Sequence, residues 1–331
     1  MPSSPSGYHA RITAAVLTYN GRHLLEPLLT SLAAQTVAPE IHTVVVDNGS
    51  TDGTTEWLDE CWPAIEVVNV HENRGVTAGL NQCVAAAHGS EFVLLLNNDI
   101  RLEPDFVRLL VMTLETEPRA AAAVGKMLSG RDPKRIDGAG DTFSWRGTAY
   151  RRGHGTIDVG QFDRTEEVFG ACAGAAVYRA EALREVGGFD ESFFAYLEDV
   201  DWSFRARRLG WKVVYDGSAV ATHLGGATLG ADLNEFNAYH LWRNGNWVVA
   251  KNYTPHELLV NAPALATTQI LQLATAARGG LMSAWARATW DSIRGMHSAY
   301  ASRPDLKRAH VESDLDAVVD PAWTLSLIHI S

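Results

Sequence analysis

Four short apolar runs, each followed by polar residues and then by a helical pattern, constrain the fold of this chain most strongly. The runs are rich in Val, Ile and Leu and lie at 12–17, 42–46, 66–70 and 92–96. Helical patterns follow them at 23–34, 54–62, 76–88 and 105–115. This alternation is typical of α/β proteins, in which helices cover both faces of a sheet. The sequence therefore predicts an α/β fold with a mostly parallel sheet flanked by helices.

The residues directly after these four runs are polar, and the ends of parallel strands meet at one edge of the sheet, where ligands bind. Asp47 can accept a hydrogen bond from a ribose hydroxyl or a base N–H, while Tyr19 offers an aromatic face and Thr18 a hydroxyl. Turn formation and helix capping are the alternative roles for such residues. The chain has no Gly-x-Gly-x-x-Gly after the first run and no P-loop motif, which disfavours a dinucleotide or P-loop site.

A cluster of three carboxylates, Glu198, Asp199 and Asp201, follows an aromatic run. Asp199, Trp202 and Ala206 are spaced like residues on one side of a helix, so Asp199 is predicted in the first turn of a helix. The helix dipole favours an ionised carboxylate there, which suits a general base. Ordinary N-terminal capping is the alternative.

Composition narrows the class of protein. The formal net charge is −11, from 28 basic and 39 acidic residues, which argues against general nucleic-acid binding. The three cysteines form no Cys-x-x-Cys pair, which disfavours a disulfide scaffold and structural zinc and fits a reducing compartment. No apolar segment typical of a signal peptide opens the sequence. These features predict a cytoplasmic protein, with the inner face of the cytoplasmic membrane as a second option.

The pattern of apolar and polar residues changes after about residue 230. Aromatic residues recur on a helical pattern at 234–252, and 257–277 is apolar but too interrupted by polar residues for a confident membrane span. A helical hairpin packed on the preceding domain is one interpretation, and a surface that touches the bilayer is the other. We expect a catalytic domain at 1–230 and a C-terminal helical region at 231–324. Residues 325–331 are interpreted as the translation of a sequencing adaptor.

Residues 11–225 resemble the family 2 inverting glycosyltransferases, which have the GT-A fold, and within them the rhamnosyltransferase-like branch. The resemblance rests on six motifs in a fixed order: Thr18-Tyr19-Asn20-Gly21, Val46-Asp47-Asn48-Gly49-Ser50-Thr51-Asp52-Gly53-Thr54, Asn73-Arg74-Gly75, Leu96-Asn97-Asn98-Asp99, Gly187-Gly188-Phe189-Asp190-Glu191 and Glu198-Asp199-Val200-Asp201.

The resemblance implies a role for each matched residue. Asp199 is the candidate catalytic base. The positions implied for the sugar nucleotide are Thr18, Tyr19, Asn20, Asp47, Asn73, Gly75, Asn97 and Asn98.

The resemblance also implies a divalent metal, Mn²⁺ or Mg²⁺, which would neutralise the leaving diphosphate. Asp99 is the matched carboxylate ligand. His223 is a second candidate, because its distance along the chain from Asp199 resembles the spacing between acid and histidine in the family; a structural role is the alternative. The family motif is commonly Asp-x-Asp, whereas here Asn97 replaces the first acid. Weaker metal binding, or metal-free catalysis, is therefore a further alternative.

The activity implied is inverting transfer of a sugar from a nucleotide-diphosphate donor to a glycan or lipid-linked acceptor in the synthesis of cell-surface polysaccharide. The branch favours dTDP-L-rhamnose, and UDP- or GDP-sugars stay open, as does peripheral membrane contact. Two other classes also stay open: a catalytically weak protein that binds sugar nucleotides, and a sugar nucleotidyltransferase. The latter would need a Gly-rich, basic loop after the first strand, which Thr18-Tyr19-Asn20-Gly21-Arg22 does not provide.

Overall fold

The computed structural model describes residues 10–224, 233–303, 315 and 318–320. Its strands are β1 (Ile12–Thr18), β2 (Ile41–Asp47), β3 (Glu66–Asn69), β4 (Phe92–Asn97), β5 (Ile100–Leu102), β6 (Ala120–Ser129), β7 (Ile136–Gly138), β8 (Asp141–Ser144), β9 (Thr148–Arg151), β10 (Thr165–Val168), β11 (Ala175–Arg179), β12 (Lys212–His223) and β13 (Val319–Asp320). Its helices are α1 (Arg22–Ala33), α2 (Thr54–Cys61), α3 (Val76–Ala86), α4 (Phe106–Thr116), α5 (Ala180–Val186), α6 (Glu198–Arg208), α7 (Glu235–Asn252), α8 (Pro255–Arg278) and α9 (Met282–Ala301).

The first four strands form the parallel half of the main sheet, in the order β4-β1-β2-β3. The bounds of all four lie within one residue of the runs predicted from the sequence, and those of the four helices between and after them lie within two residues of the predicted patterns. Alternate residues of β1 bury on opposite faces: Ala15 and Leu17 contact one core cluster, and Ala14 and Val16 contact the other. The predicted sheet with both faces covered is confirmed.

The second half of the sheet is mixed. β11 pairs antiparallel with both β4 and β6, and β12 is parallel to β6 and antiparallel to β10. β5 begins shortly after the end of β4 and pairs with the last residues of β12. This pairing brings Ile100 opposite His223, so the ends of β4 and β12 meet although they are far apart in sequence.

The segment 129–165 contains β7 and the antiparallel hairpin of β8 and β9. In the hairpin Asp141 lies opposite Arg151, and an isolated bridge joins Asp141 to Gly170. The hairpin is thereby attached to the chain that leads into β11.

The C-terminal helices pack on the catalytic part of the chain. On α7, Lys251 donates to the buried Asp201 of α6 at 3.0 Å, and the Asn252 amide donates to the same carboxylate at 2.9 Å. None of the described helices has the length and apolar composition needed to span a bilayer. The proposed adaptor residues 325–331 and the boundary at 230 lie outside the described residues.

Candidate active site

The ends of β1 and β4 are joined through Asn98. Its side-chain amide donates to the Thr18 hydroxyl at 2.9 Å, and both residues are buried. A Cβ on Gly21 would lie 1.9 Å from the Asn98 amide nitrogen, so this approach requires glycine. Tyr19 is half-buried beside Thr18. The predicted positions Thr18, Tyr19 and Asn98 thus lie together, and the role of Asn98 in donor binding stays a prediction.

The loops after β1 and β2 are also joined. Asn20 has a positive φ of 50°; its backbone N–H donates to the Ser50 hydroxyl at 2.8 Å, and its side-chain oxygen accepts from the Thr51 N–H at 2.8 Å. Asp47 is fully buried, and its carboxylate accepts from the Ser50 N–H at 2.8 Å and the Thr55 hydroxyl at 2.6 Å. Both Asp47 oxygens therefore have a donor, one from the loop that follows β2 and one from the first turn of α2, and the contact of Asp47 with a nucleoside stays a prediction.

The loop after β3 joins the same edge. The buried Asn48 donates to the Asn73 side chain at 3.2 Å and to the Gly75 carbonyl at 3.0 Å. Gly75 has a φ of 89°, and a Cβ there would lie 2.6 Å from Phe194. The predicted positions Asn73 and Gly75 therefore shape the place where the aromatic run before Asp199 approaches the sheet.

Asp99 and His223 meet, as expected for two ligands of one ion. His223 Nε2 lies 3.2 Å from an Asp99 oxygen, and its Nδ1 lies 2.9 Å from Asp137, which sequence reasoning missed. Burial lowers the pKa of His223, but the hydrogen bonds to Asp137 and Asp99 outweigh it and raise that pKa to about 9. Asp137 comes from β7, which pairs with β6 next to β12. Only this pairing could have revealed it.

The Asp99–His223 pair has the spacing of two ligands of one divalent cation, which would take the place of the proton between His223 Nε2 and Asp99. Two ligand atoms about 2.1 Å from one ion and at a right angle to each other are about 3 Å apart, close to the 3.2 Å between Asp99 and His223. Imidazole and carboxylate together suit Mn²⁺. Asn97 is half-buried, and its backbone N–H donates to the Gly174 carbonyl at 2.8 Å.

Asp199 lies in the first turn of α6, as predicted. One oxygen accepts from the Val200 N–H at 2.8 Å, and the other accepts from the Ala173 N–H at 3.4 Å. Ligand atoms of Asp199, Asp141 and Cys172 lie within 4.8 Å of one another, so this group also has the geometry for a metal ion. Burial raises the pKa of the Cys172 thiol to about 12, so Cys172 stays protonated and is a poor ligand for a hard cation.

Burial raises the pKa of Asp199 and of two carboxyl groups near it. Burial and the nearby Asp199 raise the pKa of Asp141 to about 8, and they raise the pKa of Glu198 to about 8 as well. Burial also raises the pKa of Asp199, against the backbone donors and the charge of Arg151, which lower it. Carboxyl groups with raised pKa values in a cleft are typical of proton-transfer sites.

One cavity connects the two groups of residues. Asn97, Asp137, Asp141, Arg151, Cys172 and His223 all line it. Arg151 donates to Asp137 at 2.6 Å, and its guanidinium lies 3.9 Å from the Cys172 sulfur. A fixed positive charge therefore stands between His223 and the acids Asp141 and Asp199.

The third carboxylate of the sequence motif has a different role. Asp201 is fully buried and accepts from Arg205, four residues later on the same helix, at 2.9 Å. It also binds Lys251 and Asn252, so it joins α6 to α7.

A family model described as "Glycosyl transferase family 2" matches residues 13–187, more than half of the chain. The N-acetylglucosaminyl-diphospho-decaprenol L-rhamnosyltransferase of Mycobacterium tuberculosis is 28% identical over 250 residues, which cover 69% of this chain and 81% of that protein. The pre-mycofactocin glycosyltransferase of the same organism is 27% identical over 67% of this chain and 44% of its own length.

Among solved structures, GalNAc-T7 with UDP, GalNAc and Mn²⁺ is similar at a TM-score of 0.60 and 15% identity, over 73% of this chain and 48% of that chain. The mannosyltransferase PcManGT from Pyrobaculum calidifontis, in complex with GDP-Man and Mn²⁺, is similar at a TM-score of 0.54 and 21% identity, over 93% of this chain and 88% of that chain. The chain thus spans about half the length of the GalNAc-T7 chain. At these identities the solved structures support the GT-A fold. The chain belongs to glycosyl transferase family 2, as a glycosyltransferase of the rhamnosyltransferase-like type.

Proposed function

We propose that this enzyme transfers a sugar from a nucleoside diphosphate to a hydroxyl of a glycan or lipid-linked glycan, with inversion at the anomeric carbon. The observation that carries the proposal is one cavity that both His223 and Asp141 line. His223 contacts Asp99 at 3.2 Å, and the Asp141 carboxylate lies within 4.8 Å of that of Asp199, so the candidate metal ligands and the candidate base lie beside the same cavity. A single displacement needs a base on the acceptor side and charge neutralisation on the side of the leaving group.

In this mechanism Asp199 accepts the proton of the acceptor hydroxyl while that oxygen attacks the anomeric carbon. The diphosphate leaves from the opposite face, so one displacement inverts the configuration and no covalent enzyme intermediate forms. Asp99 and His223 would hold Mn²⁺ or Mg²⁺, which stabilises the negative charge of the leaving diphosphate when bound. The donor side of the proposed site is formed by Thr18, Tyr19, Asn20, Asp47, Asn73, Gly75, Asn97 and Asn98.

The favoured donor is dTDP-L-rhamnose. Support comes from the Mycobacterium tuberculosis relative, whose name is that of an L-rhamnosyltransferase acting on a decaprenol-linked sugar. Solved structures with the same fold contain UDP or GDP-Man, so UDP- and GDP-sugars belong in the same test. A polyprenol-linked acceptor would place the reaction at the inner face of the cytoplasmic membrane, in the synthesis of cell-surface polysaccharide.

The test is nucleotide release from each donor class in the presence of Mn²⁺, followed by NMR determination of the anomeric configuration of the product. Asp199→Asn keeps the shape of the side chain but cannot accept the proton, so kcat should fall about 10²–10⁴-fold, with donor affinity by calorimetry little changed. Glu115→Gln is the matched control, because Glu115 pairs with Arg11 at the opposite edge of the sheet. A product that retains the donor configuration, or near-normal turnover in folded Asp199→Asn, would contradict the mechanism.

A further inference from the structure

The outer surface of α8 and α9 is unusually apolar. Most of the large apolar side chains that are exposed in the described part of the chain belong to these two helices, which we call the hairpin face: Leu259, Val260, Ile270, Leu271, Leu273, Met282, Trp290, Ile293, Met296 and Tyr300. Ile270 is 66% exposed, and Trp290 and Ile293 are each 61% exposed. Exposed apolar surface concentrated in this way marks a binding surface rather than ordinary scatter.

The exposed residues recur at helical spacing. On α8, Leu259, Pro263, Ile270 and Ala277 lie along one side, and no charged side chain occurs between Leu258 and Ala277. On α9, Met282, Ile293 and Tyr300 lie along one side, while the opposite side is packed against α7 through residues such as Ala284 and Ala288. Each helix therefore has one buried side and one apolar side in solvent, as interfacial helices have.

The exposed charges of the hairpin are positive, in a chain whose formal net charge is −11. Arg278, Arg287 and Arg294 are exposed, and the last two flank the apolar stripe of α9. The two acids of the hairpin are half-buried and bound: Glu257 accepts from Arg208, and Asp291 accepts from Tyr239. Arg287 lies 3.8 Å from Glu235, with both side chains 61% exposed, and an exposed pair at this distance restrains the arginine little.

We infer that the hairpin face binds the surface of a bilayer that contains anionic lipids. Its apolar side chains would enter the boundary between headgroups and acyl chains, to a depth of about 5–10 Å. Trp290 and Tyr300 have the amphipathic rings that are enriched at this depth, and the flanking arginines attract the lipid phosphates. The inference extends the proposed function, because a lipid-linked acceptor stays in the bilayer.

The experiment is co-sedimentation of the full chain with vesicles of phosphatidylcholine, with and without phosphatidylglycerol, and without any sugar nucleotide. Binding should increase with phosphatidylglycerol and decrease with salt. Trp290→Ser and Ile293→Ser should each lower the partition coefficient about tenfold. Arg287→Gln and Arg294→Gln should each lower it about fivefold on anionic vesicles only.

The matched control is Val159→Ser, which removes an apolar side chain that is 80% exposed outside the hairpin and should leave binding unchanged. All five variants change exposed residues, so thermal unfolding should stay close to that of the parent chain. Absence of vesicle binding by the full chain, or binding that the hairpin variants do not weaken, overturns the inference. So does a dimer in analytical ultracentrifugation that Trp290→Ser abolishes while vesicle binding is unaffected, because the face would then bind a second copy. Because no donor is present, none of these outcomes depends on the proposed transfer reaction.

Discussion

Single residues of this site differ in how far the sequence reveals them. Asp199 was predicted in a first helical turn from its own local pattern, whereas Asp99 and His223 were candidates through the family resemblance. Asp137 and Arg151 were not predicted, because they reach the cavity only through the pairings of β7 with β6 and of β8 with β9. Register between such short strands is set by tertiary contacts. Sequence therefore indicated His223 and the acids beside the cavity but missed Asp137 and Arg151, which line it.

The ionisation of Asp199 gives a prediction about pH. Asp199 must be ionised to act as a base, so kcat/KM should fall as pH falls through its raised pKa. The ionised Asp199 is one cause of the raised pKa of Asp141, about 8, so Asp141 is still protonated where Asp199 titrates, and Asp141→Asn should leave this acidic limb nearly unmoved. Arg151→Gln removes a positive charge that favours ionised Asp199, and should move the limb to higher pH.

The measurement is a pH profile of kcat/KM for the parent chain and both variants, with circular dichroism to verify folding. A shift in Arg151→Gln alone is the diagnostic result, because general damage to the fold would lower the whole profile without moving its midpoint. No shift in Arg151→Gln, or an equal shift in both variants, would remove Arg151 from the electrostatic environment of the base.

The Asp99–His223 pair gives a prediction about metal. Activity should disappear in EDTA and return with Mn²⁺ or Mg²⁺ if both residues hold the ion. Asp99→Ala should be inactive at any practical metal concentration, whereas His223→Ala should regain some activity as metal increases. Asn97 lines the same cavity, so Asn97→Asp should lower the metal concentration needed for half-maximal activity. Full activity in EDTA would favour neutralisation of the diphosphate by Arg151 and other cationic groups instead.

At the scale of elements, the loop before α6 is the strained part of the site, and α7 holds it. Phe194, Tyr196 and Leu197 all have φ between 64° and 69°, a region that costs about 1–3 kcal/mol at such residues. The fully buried Asn244 of α7 donates to the carbonyls of Phe193, Ala195 and Tyr196 at 3.1, 2.8 and 2.7 Å. The sequence predicted α7 as a helix, but its role depends on a contact between residues about 50 positions apart.

Asn244→Ala should therefore lower the free energy of unfolding by about 1–3 kcal/mol, because it leaves buried carbonyls without a donor. Asn244→Asp should be at least as harmful, because it places an acceptor against three acceptors. Asn246→Ala is the control. Asn246 is on the same helix, and within the described residues its side chain forms hydrogen bonds with Ser292 and Gln269. Urea unfolding measures the stabilities. In the Asn244 variants kcat should fall by more than the loss of folded protein accounts for. Equal effects at 244 and 246 would contradict this role.

At the scale of the whole molecule, the contacts between α6 and α7 oppose an independent C-terminal unit. The domain boundary at 230 remains a prediction, and the fully buried Asp201 is bound by Lys251 at 3.0 Å across it. Removing one partner of a buried ion pair costs about 3–5 kcal/mol, a large part of the stability of a typical domain. Hydropathy patterns indicate helices well, but they do not show which buried charge a helix neutralises.

We therefore expect the full chain to unfold in one cooperative transition, followed by the fluorescence of Trp202 and Trp247. A chain cut after residue 230 should show no cooperative transition, and Lys251→Met should lower the free energy of unfolding by about 1–3 kcal/mol, because Asp201 loses one donor but keeps Arg205 and Asn252. Lys212→Met is a control, because Lys212 pairs with Glu167 through a half-exposed contact. A folded chain of residues 1–230 would show that the catalytic part is autonomous.

The Asp201–Lys251 contact has a consequence for the order in which the protein forms. The two residues are 50 positions apart, so a chain emerging from the ribosome presents α6 with Arg205 already beside Asp201, before the two further donors, Lys251 and Asn252, exist. The sheet of β1–β4 depends on neighbouring segments and can assemble early, whereas the strained loop before α6 receives the hydrogen bonds of Asn244 only with α7. The loop that leads into Asp199 is then completed late in synthesis, together with the helices that lead into the hairpin face.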